Sequence, residues 1–350
     1  MPYVLVLSLG LVYGRRLRPR NHLVQQPTVS VFIPTYNEEK YIAKKLENVL
    51  SQTQPIHEIL VFDCSSDSTP KVVEEYQRSN QNIKLFRQAQ RTGMPKTLNE
   101  AIKAATGEVF VYTGCDSFTE AGDALERLVS HFSDSQVGGV TGLCVNSGLE
   151  GQFRKFSNWI QRAESNMDST IIAHGGPSLV GFRRELLEPV REDSLADDTE
   201  EFVRIRKKGF KTVVDPDVMS REVIPDSFTS RRIQKDRRAQ GIVRVIFQNL
   251  DVAFNPKYGL YGLAVFPMDL FLLVVSPFLL LLDLALVGYL LFILNPIYLF
   301  VFGVLIGLSV LLSTKVMAIV DMQLAGLVGS IRAFLGKGSN LWPKERLRPS

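Results

Sequence analysis

The spacing of hydrophobic positions changes along the 350-residue chain. Between residues 28 and 115, short apolar runs alternate with segments of helical period. Val29-Ser-Val-Phe-Ile33 is rich in β-branched and aromatic residues and stops at Pro34, the composition of a buried strand. Residues 40–51 then carry apolar side chains at 42, 46, 49 and 50, one face of a 3.6-residue turn. The alternation predicts further strands at 59–62, 83–86 and 109–112. Helices fall at 69–76, behind a Ser/Asp/Thr cap cluster, and at 98–105, ended by Gly107. Such alternation implies right-handed crossovers and a mainly parallel sheet, with ligands beyond the carboxyl ends of its strands. Past residue 115 the pattern loosens, with helices at about 122–132, 151–167 and 198–208 and strands at about 139–145 and 211–214.

The remainder reads as membrane-associated. Residues 231–250 suit an amphipathic helix at a bilayer surface, basic first and apolar later. From 260 to 314, 55 residues hold only two side chains charged at neutral pH, Asp269 and Asp283. At about 20 residues per span this run predicts two transmembrane helices, broken at Asn295-Pro296. Residues 2–13 are also apolar but cover only about 20 Å, enough for an anchor or a short span within 1–20. Arg15, Arg16, Arg18 and Arg20 follow that segment, and Lys315, Arg332, Lys337 and Lys344 follow the long run. The turn near 295 has no Lys or Arg, so both flanks are expected on the cytosolic side. Asp269 is expected to pair with Lys315 at that boundary. The chain thus divides into an anchor (1–20), a soluble domain (21–230), an interfacial region (231–259), two spans (260–320) and a basic amphipathic tail (321–350).

Composition narrows the function. Hydrophobic residues at 45% and charged residues at 22% exclude a disordered or collagen-like chain. Cys64, Cys115 and Cys144 are too few for a disulfide framework, and no His or Cys spacing suits zinc. With 40 Lys+Arg against 36 Asp+Glu, basic residues alternate with acids, and no nucleic-acid partner is expected.

Chemistry concentrates in loops that follow strands: Pro34-Thr-Tyr36-Asn37-Glu38, Asp63-Cys-Ser-Ser-Asp67 and Gly114-Cys-Asp116. Later come Asp197-Asp198-Thr-Glu200 and Gln234-Lys-Asp-Arg237-Arg238. Carboxylates at one sheet edge can accept from a base or ribose, or hold a divalent cation on a diphosphate. The paired arginines can clamp phosphates. Singly, Asp63 and Asp67 also suit turn and helix-cap positions, and Asp197 and Asp198 suit a helix's first turn. The basic cluster likewise suits a lipid surface. Their joint order favours a site.

In that order the loops resemble those of family 2 glycosyltransferases, with the membrane plan of cellulose-synthase-like enzymes. The resemblance implies an α/β GT-A catalytic domain, Rossmann-like with a mainly parallel sheet, plus α-helical transmembrane segments. It implies a nucleotide pocket of Pro34, Tyr36, Asn37 and Glu38, with Asp63 on the base and Asp67 beside it. The family's preceding Asp is Phe62 here, and its usual Lys is replaced by Met94, leaving Arg91 or Lys96 to substitute. Its Asp-x-Asp motif is Gly114-Cys115-Asp116, so Asp116 alone is left to bind Mg²⁺ or Mn²⁺. Asp198, preceded by Asp197, takes the general base's place. Gln234, Arg237 and Arg238 match Gln-x-x-Arg-Trp, with Arg in place of Trp.

These implications amount to inverting transfer of a hexose from a nucleotide-diphosphate sugar at the cytosolic membrane face, with GDP-mannose expected before a UDP-sugar. The acceptor expected is a lipid-linked, polyprenyl-phosphate type saccharide. The alternatives are a processive polysaccharide synthase and a non-catalytic nucleotide-sugar-binding membrane protein.

Overall fold

The computed structural model describes residues 26–173, 179–224 and 227–336, apart from the side chain of Phe228. The apolar segment at 2–13 and the basic residues beyond 336 lie outside the described residues. The strands β1 (Val29–Thr35), β2 (Glu58–Asp63), β3 (Ile83–Arg87), β4 (Val109–Thr113), β5 (Ser117–Thr119), β6 (Val137–Cys144), β7 (Leu179–Arg183) and β8 (Lys211–Glu222) share one sheet. Their order is β3-β2-β1-β4-β7-β6-β8-β5. The β3-β2-β1-β4 portion is parallel. The rest is mixed: β7 runs antiparallel to β4 and β6, and β5 antiparallel to β8.

Seven helices accompany this sheet: α1 (Ile42–Leu50), α2 (Thr69–Ser79), α3 (Met94–Ala104), α4 (Ala124–Ser130), α5 (Gly148–Met167), α6 (Asp197–Lys207) and α7 (Phe228–Gln248). Both sheet faces are covered, which is why the central strands are apolar at nearly every position. On one face Val31, Ile33 and Val61 pack with Ile42 and Leu46 of α1. On the other, Phe32, Leu60 and Phe110 pack with Leu98 of α3 and Phe202 of α6.

At the amino end of the sheet, Glu58 is buried and accepts from Ser30 Oγ (2.6 Å), Thr106 N (2.7 Å), Thr106 Oγ1 (2.8 Å) and Lys84 Nζ (2.7 Å). One carboxylate thus gathers β1, β2, β3 and the turn before β4. Burial alone raises its pKa, but the Lys84, Ser30 and Thr106 hydrogen bonds outweigh that and hold it at about 2.

The carboxy-terminal part divides differently from the expected spans at 260–320 and basic amphipathic tail at 321–350. There are three consecutive helices: α8 (Tyr261–Leu294), α9 (Pro296–Leu312) and α10 (Thr314–Phe334). By length and composition α8 and α10 could each cross a membrane, whereas α9 is shorter. Residues 321–334, expected in the tail, continue α10, which packs on α7 and α5. Close approach is possible because α10 is locally small. A Cβ on Gly329 would lie 2.8 Å from the Ala239 backbone, and one on Gly326 2.9 Å from the Leu273 carbonyl.

The first half of α8, with π-helical turns at Tyr261–Val265 and Phe271–Val275, buries Tyr261, Phe266 and Leu273 against the preceding domain. Its second half and α9 expose leucine, isoleucine and phenylalanine all round, a contiguous apolar surface of the kind that a partner or a membrane covers. Asp269 does not meet Lys315: it is wholly buried and hydrogen-bonded with Glu164 of α5, while Lys315 is exposed. Docking of α8 on α5 moves Asp269 away from the boundary that hydropathy suggested.

The Glu58 cluster gives a stability prediction. Glu58→Gln should cost about 1–3 kcal/mol at pH 7, because an amide cannot accept from all these donors. A lowered native pKa contributes stability above the unfolded value of 4.5 that disappears as pH falls toward 2. Urea unfolding should therefore show the wild-type advantage shrinking between those values.

Candidate active site

The chain leaves β1 toward β2 on one side and returns to place β4 on the other, opening a crevice beyond their carboxyl ends. A cavity there is lined by Pro34, Tyr36, Glu38, Phe62, Arg91 and Asp116, among others. The Arg91 guanidinium lies 4.2 Å from the Tyr36 ring centroid. Phe62, where the family pattern has Asp, stacks on Phe86 at 4.5 Å and offers an apolar wall.

Four expected residues are not in that lining. Asn37 turns the chain with φ 51° and accepts from Ser66 N at 2.9 Å. Asp63 is wholly buried behind the wall. It accepts from Thr35 Oγ1 (2.7 Å), Ser65 N (3.2 Å) and Ser65 Oγ, and pairs with Arg87 at 2.9 Å. These contacts join the ends of β1, β2 and β3 behind the cavity wall. Asp67 accepts from Thr69 N at 3.0 Å at the start of α2, and Lys96 is exposed on α3.

A second cavity meets the first at Tyr112, Gly114 and Asp116. It brings together Asp197, Asp198, Gln234, Arg237 and Arg238, which are far apart in sequence. Its far wall is apolar, made by Leu273 of α8 and by Met322, Ala325 and Gly326 of α10. Tyr112, Glu150, Arg154, Glu222, Arg231 and Asp321 also line it and had not been singled out. The Glu150–Arg154 spacing of four within an amphipathic helix was a readable signal; Tyr112, inside a strand run, offered none.

Asp198 is 7% exposed; it pairs with Arg238 at 2.9 Å and accepts from Thr199 N at 2.7 Å. In Asp197, Oδ2 is buried without a hydrogen-bond partner. Burial, and then the Asp198 charge, raises the Asp197 carboxyl to about 6. Burial lowers Arg237 to about 10 against the pull of Asp197, so it stays cationic at neutral pH. Tyr112 is pushed well above 10 by burial and then by both aspartates, and it stays a phenol.

Among the described residues no group of three or more His, Cys, Asp or Glu could hold a metal alone. Asp116 supplies one hard oxygen donor, and a Cβ on Gly114 would lie 2.9 Å from its Oδ1. The carboxylate thus occupies the space of a side chain at 114, which accounts for glycine there. One carboxylate fits a Mg²⁺-like ion that takes its other ligands from a diphosphate and water.

Residues 30–191 match the sequence model of glycosyl transferase family 2. The chain is 30% identical over 213 residues to a dolichyl N-acetyl-α-D-glucosaminyl phosphate 3-β-D-2,3-diacetamido-2,3-dideoxy-β-D-glucuronosyltransferase of Methanococcus voltae, covering 55% of this chain and 65% of that protein. It is 37% identical over 112 residues to the poly(ribitol-phosphate) β-N-acetylglucosaminyltransferase TarS of Staphylococcus aureus, covering 30% and 19% respectively. The chain therefore spans less than two thirds of these relatives. The sheet domain and its following helices superpose on the mannosyltransferase PcManGT from Pyrobaculum calidifontis, solved with GDP-Man and Mn²⁺. The TM-score is 0.83 at 25% identity, covering 96% of this chain and 95% of that one. The shared GT-A-like architecture thus extends beyond the sheet domain into the helical part.

If Asp116 is the divalent-ion contact, Asp116→Asn should remove the Mn²⁺-dependent part of GDP or UDP binding, measured calorimetrically, and leave thermal unfolding unchanged. Equal Mn²⁺ dependence in mutant and wild type would take Asp116 out of the site.

Proposed function

We propose that the protein is an inverting, metal-dependent hexosyltransferase. Its donor is a nucleotide-diphosphate sugar, GDP-mannose before a UDP-sugar, and its acceptor a polyprenyl-phosphate type, lipid-linked saccharide at the cytosolic membrane face. One observation carries this reading: Asp116 stands on the edge shared by a cavity in the sheet crevice and a cavity walled by apolar helices. A donor in the first and a lipid-tailed acceptor in the second would meet at that edge. The GDP-Man complex of PcManGT supports the donor, and the dolichyl-phosphate substrate named for the Methanococcus voltae relative supports the acceptor.

In this reading Tyr36, Phe62 and Arg91 line the nucleotide's place. A divalent ion on Asp116 would neutralise diphosphate charge. Arg237 lines the second cavity, which Asp116 borders, and would stabilise the charge that develops on the leaving diphosphate, where preorganised cations act most strongly. Asp198 accepts the proton of the acceptor hydroxyl as its oxygen attacks the anomeric carbon, and a single displacement inverts that centre. Arg231, whose Nε is buried without a partner at the membrane end of the second cavity, suits the acceptor phosphate.

A processive synthase is disfavoured by Arg238, which pairs with Asp198 where the family's Trp would stack a sugar chain. Only α8, α9 and α10 are available among the described residues to enclose a channel. Membrane spanning by α8 and α10, with the catalytic domain cytosolic, belongs to the same proposal.

Asp198→Asn should lower turnover about 10²–10⁴-fold, the usual cost of losing a general base, with donor affinity retained. The wild-type rate should fall as pH drops through about 6, where the raised carboxyl gains a proton. Asp197→Asn should remove that fall near pH 6, because the carboxyl that gains the proton there is gone, while keeping most of the rate. Greater damage from Asp197→Asn than from Asp198→Asn would reassign the base.

The acceptor is tested by mass spectrometry of products formed from donor and a lipid-linked oligosaccharide. One added sugar, or a few, is expected. A long polymer made without lipid acceptor would favour the synthase, and nucleotide-sugar binding without diphosphate release would favour a binding protein.

A further inference from the structure

Lys45 has no part in the mechanism above, yet it is 1% exposed in the middle of α1. Lysine is almost never fully buried unless paired, and among the described residues no carboxylate pairs with it. Its surroundings are mostly aliphatic, including Val31, Val49, Val111 and Leu179. Cys115 and the Phe118 ring, 6.0 Å away, complete them. A leucine or methionine would fill such a place without the cost of burying an amine. The amine is directed at two acceptors: Nζ donates to Thr113 Oγ1 at 2.7 Å and to the Ser117 carbonyl at 2.5 Å. Thr113 ends β4 and Ser117 begins β5, so the two contacts bracket Gly114-Cys115-Asp116.

We infer that Lys45 is a positioning residue, tying both ends of the Gly114–Asp116 loop from beneath so that the Asp116 carboxylate is held where a divalent ion and a diphosphate can share it. The inference rests on the proposed donor site. Ser117 N donates to the Gly114 carbonyl at 3.2 Å and Val223 N to the Asp116 carbonyl at 2.9 Å, which fix the loop's turn and its outer strand. Asn48 of α1 exchanges hydrogen bonds with Thr119 further along β5, and Lys45 is the α1 side chain that reaches both Thr113 and Ser117, on either side of the loop. A site with one carboxylate depends on that carboxylate's place more than a site with two. Burial lowers the Lys45 ammonium to about 7, with Cys115 pulling the other way. A neutral amine still has two N–H groups, one for each acceptor, so the ties survive deprotonation.

The test compares Lys45→Met, Thr113→Val and Thr113→Ser with the full-length wild type in detergent. Calorimetric titration with GDP and with UDP, each with and without Mn²⁺, is run beside thermal unfolding. Lys45→Met should weaken the Mn²⁺-dependent nucleotide affinity about 10- to 100-fold, the range typical of losing a group that orients a metal ligand. Metal-free nucleotide affinity should not change. Thr113→Val should show the same selective loss, and Thr113→Ser, which keeps the hydroxyl, should not. If Lys45→Met does not fold, the valine–serine pair decides. Wild-type Mn²⁺ dependence in Lys45→Met, or in Thr113→Val, would overturn the inference and leave the proposed function standing. Absence of Mn²⁺-dependent binding in the wild type itself would overturn both.

Discussion

Lys235 lies 2.8 Å from Glu150 and 2.8 Å from Asp321, and Arg232 reaches the same Asp321 at 3.0 Å. These contacts join α5, α7 and α10 at one place, where the catalytic body meets the apolar helices. Ion pairs half-removed from water add little net stability, because desolvation offsets attraction, but loss of one partner strands the other. Their value here is geometric. They fix the angle of α10 on α7, and with it the distance between Arg237 and Arg238 on one cavity wall and Met322 and Gly326 on the other. The glycines at 326 and 329 let the helices approach closely enough for those pairs to form.

The same economy marks the crevice end of the site. Asp63 is occupied by Thr35, Ser65 and Arg87, so its role is to hold β1, β2 and β3 in step where the nucleotide cavity begins. Phe62 and Tyr36 then present ring faces instead of a carboxylate. Under the proposed reading, selection among bases would fall to backbone and aromatic contacts, a setting in which ring size counts for more than charge.

Much of this was legible in the sequence. The parallel strands announced themselves as apolar runs because both of their faces are covered, and the loops after them carried the expected polar residues. Gln234, Arg237 and the Asp197–Asp198 pair were recognisable by order, although nothing in the sequence showed that Arg238 would pair with Asp198. What failed to show depends on tertiary partners. β8 runs on to Glu222 through Asp215-Pro-Asp217, which breaks its apolar pattern, while Asp215 is buried against His131 at 2.8 Å. Residues 321–334 resembled a tail because Asp321 and the small residues after it lower the hydropathy, yet those residues are what α7 and α5 receive. Asp269 was misread for the same reason: its partner, Glu164, lies on another helix.

The meeting of two cavities at Tyr112, Gly114 and Asp116 has a kinetic consequence. Under the proposed reading the donor reaches its place through water and the acceptor through the plane of the bilayer, so neither obstructs the other's approach. Order of addition is then free, and the released nucleotide competes only with fresh donor. The acceptor's effective concentration is a surface density: adding inert lipid at constant total acceptor slows the enzyme although nothing in the aqueous phase has changed. A cell could therefore adjust flux through such a site by altering membrane area alone.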